Sequence, residues 1–183
     1  ELLASSLNRM GVSPSIVAWS GRMGGDWLDG FEFEQRKESP KESTAQDTSN
    51  LVHDLLEAEV DVILYAGGDG TTRDIVNALD GNETPLIGVP GGVKMHSGCF
   101  ATTPKASAEV LLAFLQGDLM VAITEVMDLD EETYQKGEWK VRMYGEAWTP
   151  SSPRFMQGAK EQVERASESD TIEGLANHIG NLV

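Results

Sequence analysis

Cysteine is almost absent: Cys99 stands alone, so an internal disulfide is impossible and the chain fits a reducing, cytoplasmic setting. No run of 18 apolar residues occurs and no basic segment leads into an apolar one, so neither a membrane span nor a signal peptide is read in it. Basic residues are scarce as well. Lys and Arg number 14 against 30 Asp and Glu, a formal charge of −16, and no cationic cluster offers the face that a nucleic-acid binder needs to release counterions. His and Cys lack the spacing of a zinc site. Internal repeats and low-complexity tracts are missing too. Most of the acidity serves solubility, but it repels phosphates at long range. An anionic ligand would therefore have to be held by local amides, the few nearby cations and Mg²⁺.

What is present centres on residues 60–71, VDVILYAGGDGT. The apolar run Val62-Ile63-Leu64-Tyr65-Ala66 predicts a strand buried on both faces. It stops at Gly67-Gly68-Asp69-Gly70-Thr71, and a helix pattern follows. Three glycines around one acid are expected to turn tightly with positive φ and to bring bare N–H groups to an anion, aided by the helix N-terminus near Thr71. Gly67, Gly68, Gly70 and Thr71 are thus candidate phosphate ligands. Asp69 is electrostatically out of place among them unless it meets a metal, a hydroxyl or a proton, which makes it the candidate catalytic residue.

Two common phosphate motifs fail. No lysine follows the glycines, as a Walker loop requires, and Arg73 occupies the third glycine position of the dinucleotide fingerprint. A second glycine loop, residues 88–98, follows another predicted strand and brings Gly91, Gly92, Lys94, His96 and Ser97. Lysine can meet phosphate as a point charge and histidine can donate to an oxyanion. Ser97 has no nucleophile elbow, because Met95 stands where the first glycine of G-x-S-x-G belongs.

Gly67-Gly68-Asp69-Gly70-Thr71 resembles the signature of the superfamily holding NAD kinases, diacylglycerol and sphingosine kinases and 6-phosphofructokinase. The segments Pro85 to Phe100, Thr103-Pro104, Glu125 to Glu131 and Gln157 to Lys160 are similar to the ATP-NAD kinase/AcoX-type branch. The resemblance implies ATP-dependent phosphoryl transfer, with polyphosphate as another donor, to the adenosine ribose 2′-hydroxyl of NAD. In that reading Asp69 is the base, Mg²⁺ accompanies ATP, and no protein metal ligands are expected. Asp130 and Glu131 stand where NAD kinases carry the Asn-Glu that contacts the acceptor. The Asp for Asn and the Gly91-Gly92-Val93-Lys94 loop leave another small alcohol or a lipid open as acceptor, and a non-catalytic nucleotide-binding protein linked to acetoin catabolism is the other alternative.

The 183 residues, 40% of them apolar, allow one or two domains with a sizeable core. The coarse reading is helix 1–10, strand 15–19, a glycine loop 21–25, strand 31–35 and helix 44–59, with Ser43 and Gln46 spaced as a capping box. Strand 61–66, helix 72–79, strand 85–89 and helix 104–116 follow, the last with Thr103 as cap, Pro104 in the first turn and Gly117 as stop. The expected fold is α/β, with a doubly wound, Rossmann-like parallel sheet over 1–122 and ligands at the strand carboxyl ends. From 123 to 183 the start of a β-rich second domain is expected: strands 121–129 and 138–148 as a hairpin, a loop at 150–153 and an amphipathic helical segment 159–183. Both ends look cut, and the apolar surface this would expose favours a homo-oligomer. The expected partners are small-molecule nucleotides.

Overall fold

The computed structural model describes residues 11, 13–91, 95–129, 140–152 and 155–156. The readings for helix 1–10, Gly92, Lys94, Asp130, Glu131, the turn at 130–137 and the segment 159–183 lie outside the described residues.

Strand β1 (Val17–Ser20) pairs in parallel with β2 (Glu34–Glu38), and β3 (Ile63–Gly67) pairs in parallel with β4 (Leu86–Pro90). Helix α1 (Ala45–Glu57) links the two pairs, α2 (Asp69–Leu79) links β3 to β4, and α3 (Pro104–Leu115) follows β4. Parallel strand pairs with helices between and after them give the expected α/β architecture. The double winding is legible in β4 itself. Successive side chains of a strand point to opposite faces. Leu86 enters a core with Val52 and Leu55 of α1 and Ile75 and Leu79 of α2, whereas Ile87 enters a second core with Val110 and Leu111 of α3. Both residues are fully buried.

Local signals set most of the boundaries. The cap of α1 is Thr44 with Asp47, not Ser43 with Gln46: the Thr44 hydroxyl accepts from the Asp47 N–H and the Asp47 carboxylate accepts from the Thr44 N–H at 2.9 Å. The Thr44 hydroxyl also lies 2.7 Å from that carboxylate, and its bond, with the one from the Thr44 N–H, holds the Asp47 carboxyl below the usual carboxylate range. Helix α3 starts as expected, Thr103 accepting from Ala106 N–H at 3.0 Å with Pro104 behind it. β2 lies three residues later than the sequence suggests. Its partner is β1, and its five residues, EQRKE, are all exposed, a charged strand of the kind that resists unwanted pairing at an edge. Residues 21–27 form two short 3₁₀ turns rather than an open glycine loop. Trp19 fixes β1 to α1 by donating its indole N–H to Asp54 at 2.6 Å.

Strands β5 (Val121–Leu129) and β6 (Val141–Pro150) form the expected antiparallel hairpin, β6 running two residues further than its alternation suggests. This hairpin packs on the α/β layers. Val126 and Ala147 belong to the same core as Ile75 and Leu86, and Thr149 donates to the Leu86 carbonyl at 2.8 Å. No helix among the described residues is long and apolar enough to cross a membrane. A shared core predicts shared unfolding. Val126→Ala removes apolar volume at a site with no exposure and should cost about 2 kcal/mol. The α/β layers and the hairpin should still melt in one transition, followed by far-ultraviolet and near-ultraviolet dichroism. Two resolved transitions would make the hairpin an independent unit.

Candidate active site

The loop after β3 is shorter than its sequence suggests. Gly68 serves as N-cap and α2 begins at Asp69, three residues before the expected start, so the acid lies in the first helical turn. No side chain caps this end. The first-turn N–H groups therefore have no intrahelical acceptor, and they point with the positive end of the helix dipole towards whatever lies beyond.

Gly67, Gly68 and Gly70 do not adopt positive φ. Gly67 and Gly91 are instead needed for closeness. A Cβ on Gly67 would lie 2.7 Å from Thr71 Oγ1, and one on Gly91 would lie 2.9 Å from the Gly67 carbonyl oxygen, which accepts the Gly91 N–H at 2.9 Å. That bond joins the two glycine loops. At Gly68 the space beside Cα is open, and at Gly70 the nearest neighbour of a Cβ would be Asp128 Oδ2 at 3.8 Å.

The second tie is Asp69. Its Oδ1 accepts from the Ser97 N–H at 2.8 Å and the Ser97 hydroxyl at 2.7 Å; its Oδ2 accepts from the His96 N–H at 2.9 Å. The residue is only 9% exposed. Three donors and a helix N-terminus converge on its carboxylate. Ser97, expected among the phosphate ligands, is turned inward. It is fully buried, and its hydroxyl also lies 2.9 Å from the Met127 carbonyl and accepts the Met127 N–H at 3.1 Å. His96 contributes its main-chain N–H, while its imidazole makes no hydrogen bond among the described residues. Thr71 packs its side chain on Gly67. The structure thus brings Gly67, Gly68, Asp69, Gly70, Thr71, Gly91, His96 and Ser97 together at the carboxyl ends of β3 and β4.

Two groups of polar residues were not singled out from the sequence. Thr72 Oγ1 donates to the Gly68 carbonyl at 3.1 Å and lies 2.5 Å from Tyr65 Oη, which lies 3.2 Å from Cys99 Sγ. Since the single proton of Thr72 goes to Gly68, Tyr65 must donate to Thr72 and Cys99 to Tyr65. The signal was available: a tyrosine hydroxyl in a buried apolar run has to find a partner. Cys99 is fully buried and no nucleophile. The second group is Arg73, which pairs with Asp128 at 3.3 Å and stacks over Tyr144, whose other guanidinium neighbour is Arg142 at 4.5 Å from the ring centre. Only the folded hairpin brings these together.

A family model described as ATP-NAD kinase N-terminal domain matches residues 4–119, well over half of the chain. The chain belongs to the ATP-NAD kinase family. Comparison with curated proteins and with solved structures returns no significant match. An ATP-NAD kinase domain is a phosphoryl-transfer domain, and in this one the matched span contains every element of the site except the hairpin.

Burial pushes the Cys99 thiol up from its ordinary 9.0 to about 11, and burial raises the Tyr65 hydroxyl well above the usual phenol range. Both groups are folded in their neutral forms. A raised folded value stabilises the protein fully below the unfolded value and loses that stability as the pH climbs through the folded one. Stability should therefore hold from neutrality to about pH 9 and fall between 9 and about 11. Urea melts across that range should show the fall, and Cys99→Ala should make it shallower. An unchanged slope would remove Cys99 from the linkage.

Proposed function

We propose that this kinase domain transfers the γ-phosphoryl group of ATP, with polyphosphate as a further donor, to the adenosine ribose 2′-hydroxyl of NAD, making NADP. The observation that carries the reading is the pattern of acceptors on Asp69. A carboxylate offers about four acceptor positions, and three are filled, two on Oδ1 and one on Oδ2. The remaining position on Oδ2 is the one that meets the acceptor hydroxyl. As the 2′-oxygen attacks phosphorus, Oδ2 takes its proton, the new P–O bond forms, and ADP departs with the electrons of the broken one. The first-turn amides of α2 and the bare backbone at Gly68 and Gly70 hold phosphate oxygens.

Mg²⁺ fits as a companion of the nucleotide. Among the described residues no three His, Cys, Asp or Glu side chains converge, and the two carboxylates beside the loop are engaged, Asp69 by amides and Asp128 by Arg73. Mg²⁺ is commonly held by phosphates and water with few protein ligands, and here it would neutralise charge on the triphosphate. Family membership supports the reaction class. NAD as acceptor rests on the motif resemblance, and radiolabelled transfer to NAD, NADH and diacylglycerol tests it.

Two substitutions separate chemistry from scaffolding. Asp69→Asn puts an amide NH₂ against one of three donors, so it should lower stability by about 1–3 kcal/mol and turnover by about 10²–10⁴. Ser97→Ala removes the hydroxyl bond but keeps the acid; it should destabilise comparably and lose less than about tenfold in turnover. Wild-type turnover in Asp69→Asn, measured beside its melting temperature, would eliminate the base and leave Asp69 as a scaffold alone.

A further inference from the structure

A concavity of about 380 Å³ opens where β1 and β2 end, lined by Arg22, Trp27, Pro40, Lys41, Glu42 and Ser43. Its walls are the two segments that leave the carboxyl ends of these parallel strands, the 3₁₀ turns of residues 21–27 and the link 39–43. Loops at that end of parallel strands are where α/β folds take ligands.

The walls are tied together by hydrogen bonds. Ser39 donates its hydroxyl to the Ser20 carbonyl and accepts the Met23 N–H at 3.1 Å, which clamps one wall to the other. The Trp27 indole N–H donates to the Arg22 carbonyl at 3.0 Å, and the Trp27 main-chain N–H donates to the Gly24 carbonyl at 3.0 Å. Trp27 is nevertheless 77% exposed. With its one side-chain donor already used, what it presents to solvent is an apolar π-face.

The charges beside it are equally uncommitted. Arg36, Lys37, Arg73 and Lys105 each pair with a carboxylate, whereas Arg22 and Lys41 form no ion pair among the described residues. In a chain of formal charge −16, two unneutralised cations around one concavity are a local reversal of sign. Glu42 offsets part of it and adds an acceptor; Ser43 adds a hydroxyl.

We propose that this concavity binds a nucleoside monophosphate: the base stacks on Trp27, the phosphate meets Arg22 and Lys41, and Glu42 and Ser43 face the sugar hydroxyls. Stacking on an aromatic face together with charge-assisted bonds to phosphate is the chemistry that recognises a nucleotide, and the volume lies in the range of small-molecule sites. The site shares no residue with the one around Asp69 and does not rest on the function proposed above.

The Trp27 indole ¹H–¹⁵N resonance, assigned with Trp27→Phe, reads this site alone. Titration with AMP should move it saturably, in wild-type protein and equally in Asp69→Asn. The double substitution Arg22→Gln/Lys41→Gln alters exposed side chains, and a dispersed spectrum would confirm its fold. It should weaken AMP at least about tenfold, the loss of one or two charge-assisted bonds, and leave the weaker response to adenosine unchanged. An indole resonance indifferent to AMP, or one that responds to AMP with the same affinity in the double variant, would overturn the proposal.

Discussion

A short carboxylate in the first turn of α2 is what the site is assembled around. Without Asp69, the main-chain N–H groups of residues 96 and 97 would lose their acceptor at once, and the fully buried Ser97 hydroxyl would be left to turn to the Met127 carbonyl 2.9 Å away. Leaving a buried donor unpaired costs about 1–3 kcal/mol, and hydrogen bonds to a charged group are themselves worth about 1.5–3. This one side chain therefore matters on the scale of a whole domain's stability, about 5–15 kcal/mol. Its reach extends past the second loop, because the Ser97 hydroxyl that donates to Asp69 also accepts the Met127 N–H of β5. Helix, loop and hairpin meet on a single acid.

The same loop shows what a sequence can and cannot reveal. Signals that act within a few residues were readable: the buried run ending at Gly67, Thr103 with Pro104 opening α3, and period-2 alternation in the hairpin. Gly68-Asp69-Gly70 was misread because glycine is a poor helix former. Here Gly68 is an N-cap and an acid in the first turn is favoured by the dipole, so the helix starts early. Two overlapping Ser/Thr spacings preceded α1, and only geometry chose Thr44 over Ser43. Ser97 looked like a ligand because it stands in a glycine loop that follows a strand. Its partners lie 28 and 30 residues away, and no local pattern encodes them.

Glycine's role changed as well, from handedness to closeness. Gly67 and Gly91 let two backbones touch, and that contact sets the gap between the loops. Behind it runs a one-way chain of protons from Cys99 through Tyr65 and Thr72 to the Gly68 carbonyl, which also accepts the Thr72 N–H at 3.0 Å. Each member has a single proton and a single use for it. The chain fixes the N-cap carbonyl from below while Asp69 fixes the second loop from above, so the N–H groups between them are oriented before any ligand arrives. Donors that need not reorganise are worth more to a phosphoryl-transfer site than donors that must.

In the proposed reaction one carboxylate serves as both staple and base, and the bonds that hold the loop compete with the proton it takes up. The two oxygens divide the work. Oδ1 carries two of the three donors, including the Ser97 hydroxyl that anchors the hairpin, and Oδ2 carries one. A proton arriving at Oδ2 competes with the His96 N–H alone and leaves the Oδ1 bonds in place. The loop can thus stay attached through the step while the acid changes charge. This division also explains why the residue is aspartate. Its Cα is fixed by the start of α2, and the 2.7–2.9 Å bonds are satisfied at the length of one methylene. Glutamate would push the carboxylate a bond further into a fully buried Ser97 or swing it out of reach, and either way the two oxygens could no longer hold His96 and Ser97 and, in the proposed reaction, meet a substrate from one position.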